Sequence, residues 1–423
     1  MLSEDEIKEI LVMQRETILK KKYGIERTVL KEVESKLKLP HVIVLTGLRR
    51  SGKSTLLRQL IKKNYNDEDF YYINFEDERL FDFPAGDFNK LYEALISLYG
   101  KKKTFFIDEI QNVANFETFV RRFYEEGFKF FITGSSAALL SKELGTKLTG
   151  RHLDIIVRPF SFLEFLELKE VKIDKESLYK TEFKIRIKKY FENYLMQGGM
   201  PEYLIYHDSE LLSRVYEDTV IKDIAVRHKV ENVVVLRQLY LYLISNSANK
   251  FSFNSIKQFT NINSVNTIKK FISYLEETYF AKTIGKFDYS FKKQITSNKK
   301  FYILDNGFIE ILSKKLSEDK GCLLENLVFI NLERDKEVFY YSDKKECDFV
   351  VVENRNVTQV IQVCYDLHDN NREREISGLL EAMEHFKLKE GLILTNNQEE
   401  EIKLENKKIM VKPVWKWLLE KGI

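Results

Sequence analysis

The sequence contains little cysteine, proline or histidine. Its 423 residues include three cysteines, five prolines and six histidines. Cys322, Cys347 and Cys364 are odd in number and widely spaced, which argues against a disulfide framework and against a zinc site. The histidines show no pair at metal-ligand spacing, so we expect no structural metal.

The chain also lacks a long hydrophobic run. No apolar segment approaches the ~18 residues that a membrane-spanning helix needs, and the acidic start MLSEDEIKEI has no signal-peptide core. We therefore expect a cytoplasmic protein with no membrane partner. Net charge is only +3, from 68 basic and 65 acidic residues, so any nucleic-acid contact must come from local basic patches. The length indicates several domains.

The most informative stretch is HVIVLTGLRRSGKSTLL at residues 41–57. An apolar strand is followed by G-x-x-x-x-G-K-[ST], the pattern of a phosphate-binding P-loop that opens a helix. We expect Lys53 to reach the β- and γ-phosphates and the Ser54 hydroxyl to bind Mg²⁺. The predicted nucleotide-binding residues here are Gly47, Leu48, Arg49, Arg50, Ser51, Gly52, Lys53, Ser54 and Thr55.

A second motif, KTFFIDEIQ, occupies residues 103–111. The strand Thr104–Ile107 would deliver two acids to the carboxyl edge of the sheet, where open α/β sheets bind their ligands. Asp108 is placed to hold Mg²⁺, and Glu109 to take a proton from the attacking water. No Asn-Lys-x-Asp guanine-recognition motif is present, so we expect ATP rather than GTP as the nucleotide.

Further candidates follow the next strand, Lys129–Thr133. Ser135 or Ser136 would orient the attacking water or sense the γ-phosphate, and a helix N-cap for residues 137–140 is an equally good interpretation. Arg151 in the tetrapeptide LTGR is a candidate for stabilising transition-state charge, in cis or across a subunit interface. Its competitors are Arg121, Arg122 and Arg158.

Two positions outside these motifs also attract interpretation. Arg27, in the helical N-terminal arm, would either contact the adenine or lie on a solvated helix face, and the second is favoured. The pair Gly198-Gly199 marks a sharp turn and predicts a hinge between the two halves of the chain.

Six segments together resemble one family. They are GLRRSGKST, FFIDEIQ, FITGSS, LTGR, RPFSFLEFL and YLMQGGMPEYL, and in this order they are similar to prokaryotic AAA-type ATPases that carry a C-terminal restriction-endonuclease-like domain of unknown function. The resemblance implies an α/β multidomain protein with an AAA+ parallel sheet, a helical and winged-helix region and an α/β nuclease-like domain. The expected segments are a helical arm at 1–40, an ATPase domain at 41–168, a helical linker at 169–235, a winged-helix domain at 236–320 and a nuclease-like domain at 321–423.

The winged-helix segment predicts a DNA contact. Three helical patterns, at 236–243, 252–260 and 264–277, precede a predicted β-hairpin at 281–301 that holds six lysines against one aspartate. Such a basic wing is typical of a DNA reader, with Asn266, Thr267, Lys269 and Lys270 exposed for contacts. Winged helices also serve as interdomain spacers, so the DNA contact stays open.

The last segment carries an incomplete nuclease pattern. Glu325 on a helix, Asp348 at a strand and Gln362-x-Cys364 on the next strand match a metal-dependent site, except that the last position should be lysine. A thiol supplies no positive charge, although Lys344, Lys345 or Arg372 are candidates to replace the missing lysine.

The sequence therefore favours a Mg²⁺-dependent ATP hydrolase whose turnover rearranges its domains. The alternative is a DNA-binding regulator switched by nucleotide, and nuclease activity is not expected. Double-stranded DNA, a protein client and a second copy of the chain remain open as partners.

Overall fold

A computed structural model of the protein describes residues 2–135, 148, 150–174, 176, 179–262, 264–313, 319–334, 336–404 and 406–420. The chain forms two compact units, Met1–Pro159 with Glu277–Tyr279, and Phe160–Glu276 with Phe280–Ile423. The first unit ends at Pro159, whereas the sequence-based boundary lies at 168, and the five-segment division remains a prediction. Among the described residues, no helix has the length and hydrophobicity needed to cross a bilayer.

The first unit is built on a five-stranded sheet in the order β2-β3-β4-β1-β5, and all its pairings are parallel. This confirms the predicted parallel α/β sheet. The strands are β1 (Val42–Thr46), β2 (Tyr71–Asn74), β3 (Thr104–Asp108), β4 (Lys129–Thr133) and β5 (His152–Ile156). The helices are α1 (Glu4–Lys20), α2 (Leu30–Ser35), α3 (Lys53–Asn64), α4 (Phe88–Tyr99) and α5 (Phe116–Glu125).

Two apolar clusters cover the two faces of this sheet. Successive strand residues alternate between them, so that Phe105 and Phe130 belong to one cluster and Phe106 and Phe131 to the other. Both pairs stack across neighbouring strands, with ring centroids 5.1 and 4.8 Å apart. Because apolar side chains cover both faces of the sheet, polar groups that could bind a ligand are confined to the ends of the strands.

The second unit begins with helices and a small antiparallel sheet in the order β6-β8-β7. Its strands are β6 (Lys250–Phe251), β7 (Ala281–Gly285) and β8 (Lys299–Ile303). The helices of this part are α6 (Phe162–Leu168), α7 (Thr181–Gln197), α8 (Pro201–Tyr206), α9 (Glu210–Asp218), which continues as π-helical turns over Thr219–Val226, α10 (Val233–Ser245), α11 (Phe253–Phe259), α12 (Val265–Glu277), α13 (Phe291–Thr296) and α14 (Asn306–Leu312).

The segment between β7 and β8 differs from the simple hairpin that the sequence predicts. It contains the short helix α13, which is fixed by Asp288: its carboxylate accepts from the Ser290 backbone N–H at 2.8 Å, and its carbonyl accepts from the Gln294 side chain at 2.6 Å. An Asx turn of this kind competes with strand pairing. The connection is therefore a helical wing rather than a plain turn.

The C-terminal part of the second unit contains a six-stranded mixed sheet in the order β13-β14-β12-β11-β10-β9. β11, β12 and β14 run parallel, and the outer pairings are antiparallel. The strands are β9 (Glu337–Ser342), β10 (Glu346–Glu353), β11 (Asn356–Val363), β12 (Glu390–Thr395), β13 (Glu400–Leu404) and β14 (Lys407–Pro413), and the helices are α15 (Lys320–Leu332), α16 (Asp369–His385) and α17 (Val414–Glu420).

The double glycine of the second unit is tightly packed. The Gly199 N–H donates to the Asp305 carboxylate at 2.6 Å, and a Cβ at Gly199 would lie 2.2 Å from the carbonyl oxygen of Phe160. Gly198 has φ +71°. The glycines thus permit close backbone approach, which overturns the expectation of a hinge at this point.

Candidate functional site

The P-loop connects β1 to α3, and both of its glycines are required by geometry. Gly47 has φ +141°, and a Cβ there would lie 2.2 Å from the carbonyl oxygen of Val157. Gly52 has φ +100° and occupies the N-cap of α3. The loop therefore brings the positive end of a twelve-residue helix to the carboxyl edge of the sheet.

The interior of the loop carries a buried ammonium group. Lys53 is 4% exposed, and its Nζ donates to the carbonyl oxygens of Gly47 and Leu48, each at 3.1 Å. The Ser51 hydroxyl is buried without a hydrogen-bond partner among the described residues. A buried hydroxyl of this kind, beside a cation and a helix N-terminus, suits a phosphate oxygen.

The acid of the second motif lies against this loop. Asp108, the last residue of β3, is 3% exposed and contacts the Ser54 hydroxyl. Burial, and then the charge of Glu109, raise its pKa to about 6, against the opposing effects of Thr133, Ser54 and Lys53. The structure therefore brings Lys53, Ser54 and Asp108 together, and an oxygen pair of hydroxyl and carboxylate is what Mg²⁺ prefers.

Thr133 is a site residue that sequence reasoning missed. It ends β4 with a fully buried side chain, donates through Oγ1 to Asp108 and accepts from the Glu109 backbone N–H at 3.0 Å. It thus fixes both acids at once. The sequence did contain a signal for Thr133, since it is the last residue of the strand segment KFFIT. In the structure Ile107 pairs with Ile132, so that position 133 lies beside position 108.

Glu109 lies in a left-handed backbone conformation, with φ +49°. Non-glycine residues in this region are uncommon and concentrate at functional sites. The Gln111 side chain donates to the Glu109 carboxylate and lies 3.4 Å from the Ser135 hydroxyl. Ser135 is therefore linked to Glu109 through Gln111, whereas Ser136 and residues 137–140 lie outside the described part.

Arg27 differs from both sequence-based interpretations. It is 3% exposed, and its guanidinium donates to the carbonyl oxygens of Ser51 at 2.8 Å and Arg158 at 2.5 Å. Its backbone N–H donates to Gln59 of α3. Arg27 therefore supports the P-loop backbone as a buried brace, because the N–H groups of its guanidinium bind carbonyl oxygens from two distant segments of the chain.

Arg151 is not brought to the P-loop within this chain. Its carbonyl oxygen accepts from Val42 at the start of β1, and its guanidinium pairs with Glu125 at 3.0 Å. The P-loop follows the other end of β1, about 15 Å away at the usual rise of a strand. The in-cis part of the expectation is therefore unsupported, and a role across a subunit interface stays a prediction.

Four further arginines and Thr55 were also named as candidates. Arg49 lies 4.0 Å from Glu76, and Arg50 is exposed with φ +60°. The Thr55 hydroxyl accepts from Arg58 at 3.1 Å. Arg121 pairs with Glu125 at 3.3 Å and Arg122 with Asn89 at 2.6 Å.

The second unit holds a separate acidic cluster in its C-terminal part. Glu325, Asp348 and Gln362 lie close together, as the sequence predicts, but the cation among them is Lys300 of β8. Burial alone would lower the pKa of Lys300. The charges of the surrounding carboxylates have the larger effect, however, and raise that pKa above its usual value. Burial raises the pKa of the Cys364 thiol to about 12, so the thiol stays neutral.

Comparisons with known proteins match both the first unit and the middle of the chain. A family model described as AAA domain matches residues 40–166, and one described as a domain of unknown function (DUF8612) matches residues 188–319.

Relatives match over nearly the whole chain. A protein of Methanocaldococcus jannaschii named uncharacterized protein MJ1544 is 36% identical over 414 residues, which cover 93% of this chain and 91% of that protein. An uncharacterized protein of Haemophilus influenzae is 30% identical over 397 residues, covering 89% and 94%. The AMPPCP-bound DnaA structure from Aquifex aeolicus is 16% identical and covers 59% of this chain and 86% of that one, with a TM-score of 0.25, which is too low to support an inference.

Proposed function

Because this chain belongs to the family of the Methanocaldococcus jannaschii protein and has the fold of an AAA-type P-loop ATPase, we propose that it hydrolyses ATP with Mg²⁺ as the required metal. The observation that carries the proposal is the meeting of Lys53, Ser54 and Asp108 at one sheet edge, with Glu109 one residue beyond Asp108. Phosphate binding alone would not require the second acid.

Each group has a distinct task in this proposal. Lys53 neutralises phosphate charge, while Ser54 and Asp108 hold Mg²⁺, which when bound neutralises charge on the phosphate oxygens. Glu109 accepts a proton from water as general base. Thr133 and Gln111 keep both acids in position through the hydrogen bonds described above.

The test is phosphate release from ATP by the full chain. We expect Lys53→Ala to abolish release by weakening nucleotide binding, and Glu109→Gln to lower release by at least about 100-fold while retaining ATP binding. The matched control is Glu93→Gln, on the exposed side of α4, which should behave as the wild type. Absence of ATP affinity in the wild-type protein with Mg²⁺ would contradict the proposal.

We further propose that hydrolysis is coupled to a rearrangement of the two units. The supporting observation is the bond from Arg27 to Arg158, since the chain enters the second unit directly after Pro159. Amide hydrogen exchange over residues 155–168 should differ between the ATP state of Glu109→Gln and the ADP state of the wild type. Identical exchange in the two states would argue against coupling.

A second candidate function, a nucleotide-switched DNA contact, is supported by the helical wing. Lys292 and Lys293 of α13 are exposed, as are Lys269 and Lys270 of α12. Three of the six wing lysines are occupied elsewhere: Lys282 pairs with Glu333, Lys299 donates to the Gln294 carbonyl, and Lys300 is buried. Lys293 also lies 3.9 Å from Asp288. The winged-helix interpretation therefore depends on fewer lysines than the sequence suggests.

The DNA candidate predicts a salt-dependent affinity for duplex DNA. Replacing Lys292 and Lys293 by alanine should weaken binding and reduce the slope of log K against log salt by roughly 2. The exposed pair Lys21 and Lys22, in the first unit, is the matched control. Equal losses from both pairs would indicate nonspecific attraction.

A further inference from the structure

Lys300 has an unusual position for a lysine from a basic wing. Its side chain is 4% exposed and its Nζ lies 2.9 Å from Glu325, 2.9 Å from Glu346 and 3.0 Å from Asp348. Lysines are almost never fully buried unless they are paired. The residue comes from the small antiparallel sheet, whereas two of the three acids lie on β10 of the six-stranded sheet.

The ammonium group donates to Glu325 and Asp348 and is ion-paired with Glu346. A lysine has three N–H donors and no acceptor, and three carboxylates each provide one oxygen at hydrogen-bond distance. Such charge-assisted bonds are the strong class of protein hydrogen bond. One ammonium hydrogen is thus available for each acid.

The second oxygens of Asp348 and Glu346 have protein partners as well. The second oxygen of Asp348 accepts from the Val363 backbone N–H at 3.0 Å. The second oxygen of Glu346 pairs with Lys250 at 2.6 Å. Tyr302 donates at 2.7 Å to the same oxygen of Glu325 that accepts from Lys300. The donors are therefore distributed over all three acids.

The donor set does not suit a divalent ion while Lys300 is in place. Mg²⁺ requires oxygens at about 2.1 Å in octahedral array, and the carboxylates are instead spaced around a nitrogen at hydrogen-bond distances. In the described part of the chain, no group of three or more His, Cys, Asp or Glu residues is arranged to hold a metal ion. Cys364 adds neither charge nor a thiolate ligand.

The cluster lies in a cleft, and its Glu346 side chain is partly exposed. It forms part of a cleft of about 680 Å³ whose lining includes Lys250, Lys300, Glu325, Glu346 and Asp348. An added ion could therefore reach the acids, so occupancy depends on competition with Lys300 rather than on access.

We propose that the Lys300 ammonium is the resident cation of this cleft, so that the intact protein takes no Mg²⁺ or Mn²⁺ there, and that removing it opens a divalent-cation site at Glu325, Glu346 and Asp348. The cleft lies in the second unit, and the proposal is independent of ATP hydrolysis. In this proposal Lys300 supplies the positive charge that Cys364 cannot supply, and the candidates Lys344, Lys345 and Arg372 are not needed for it.

The experiment counts Mn²⁺ sites by electron paramagnetic resonance of the free ion. All chains carry Asp108→Asn, which removes the P-loop carboxylate. This parent chain and its Asp348→Asn derivative should bind the same number of Mn²⁺ ions. Lys300→Ala should bind one more Mn²⁺ per chain, and Lys300→Ala with Asp348→Asn should lose it again. Lys250→Ala is the matched control, since it removes a neighbouring ammonium that pairs with Glu346 alone among the three acids.

Two results would overturn the proposal. One is a Mn²⁺ site, or Mn²⁺-dependent cleavage of duplex DNA, that the parent chain shows and Asp348→Asn removes. The other is a folded Lys300→Ala chain that gains no site. Should Lys300→Ala fail to fold because three carboxylates face one another, the comparison of the parent with Asp348→Asn decides alone.

Discussion

We expect the negative charge of Asp108, which the proposed function requires, to lower the stability of the first unit. It is fully buried at the end of β3, and its pKa is raised from 3.8 to about 6, first by burial and then by the charge of Glu109. An amide of the same shape carries no charge to desolvate, and its hydroxyl neighbours Thr133 and Ser54 can accept as well as donate. We therefore expect Asp108→Asn to stabilise the first unit while abolishing ATP hydrolysis.

The magnitude follows from the pKa difference. A shift of about two units corresponds to about 3 kcal/mol, at about 1.4 kcal/mol per unit. Because the folded-state pKa lies above the unfolded value, the native state binds the proton more tightly, and the free energy of unfolding falls as the pH rises from about 4 to about 6. The full penalty is present at pH 7.5 and absent below about pH 4.

The assay must report on the first unit alone. Both tryptophans, Trp415 and Trp417, lie in the second unit, so tryptophan fluorescence is unsuitable. Amide hydrogen exchange of peptides from β1 and β3 gives local opening free energies. We expect the variant to exceed the wild type by up to about 3 kcal/mol at pH 7.5, with the difference vanishing near pH 4.

The control is Asp67→Asn, at an exposed position of the same unit, where we expect a change within about 0.5 kcal/mol. Equal stability of wild type and Asp108→Asn at pH 7.5 would refute the reasoning. A difference that persisted at pH 4 would also refute it, because the penalty would then not come from the buried charge.

Three further changes test the neighbouring groups. Arg27→Met removes donors to two carbonyls, so ATP affinity measured by calorimetry should fall about tenfold, near 1.4 kcal/mol; unchanged affinity would show that the loop holds its shape without the brace. Thr133→Val should lower phosphate release at least tenfold and Thr133→Ser should restore it, with ATP affinity unchanged within about twofold in both; a loss shared by both variants would exclude the hydroxyl as the cause. Arg151→Ala should leave ATP affinity unchanged because the side chain lies at the opposite sheet edge, and a loss in dilute monomer would contradict that placement.

Much of the first unit could be predicted from local pattern. Apolar runs followed by glycines or acids predicted β1, β3 and β4, because strands buried on both faces read as continuous hydrophobic runs. Lys53, Ser54 and Asp108 followed from motif spacing, since the carboxyl ends of parallel strands share one edge.

The residues that escaped prediction act through long-range contacts. Arg27 bonds to carbonyls 24 and 131 positions away, and no local periodicity records such a pairing. Lys300 has the sequence context of a solvated wing lysine, and only the approach of β8 to Glu325 and Asp348 shows that its charge is buried. β7 and β8 pair antiparallel as the predicted hairpin requires, but the helix between them was missed because it depends on a local turn at Asp288.

The reach of Arg27 also has a consequence for the order in which the chain folds. A nascent chain that has emerged only as far as β4 contains the complete P-loop motif but not the carbonyl of Arg158 to which this guanidinium binds. It also lacks β5, with which β1 pairs along its whole length. Contacts between such distant positions form late. We therefore expect full nucleotide affinity only in chains that extend past residue 158.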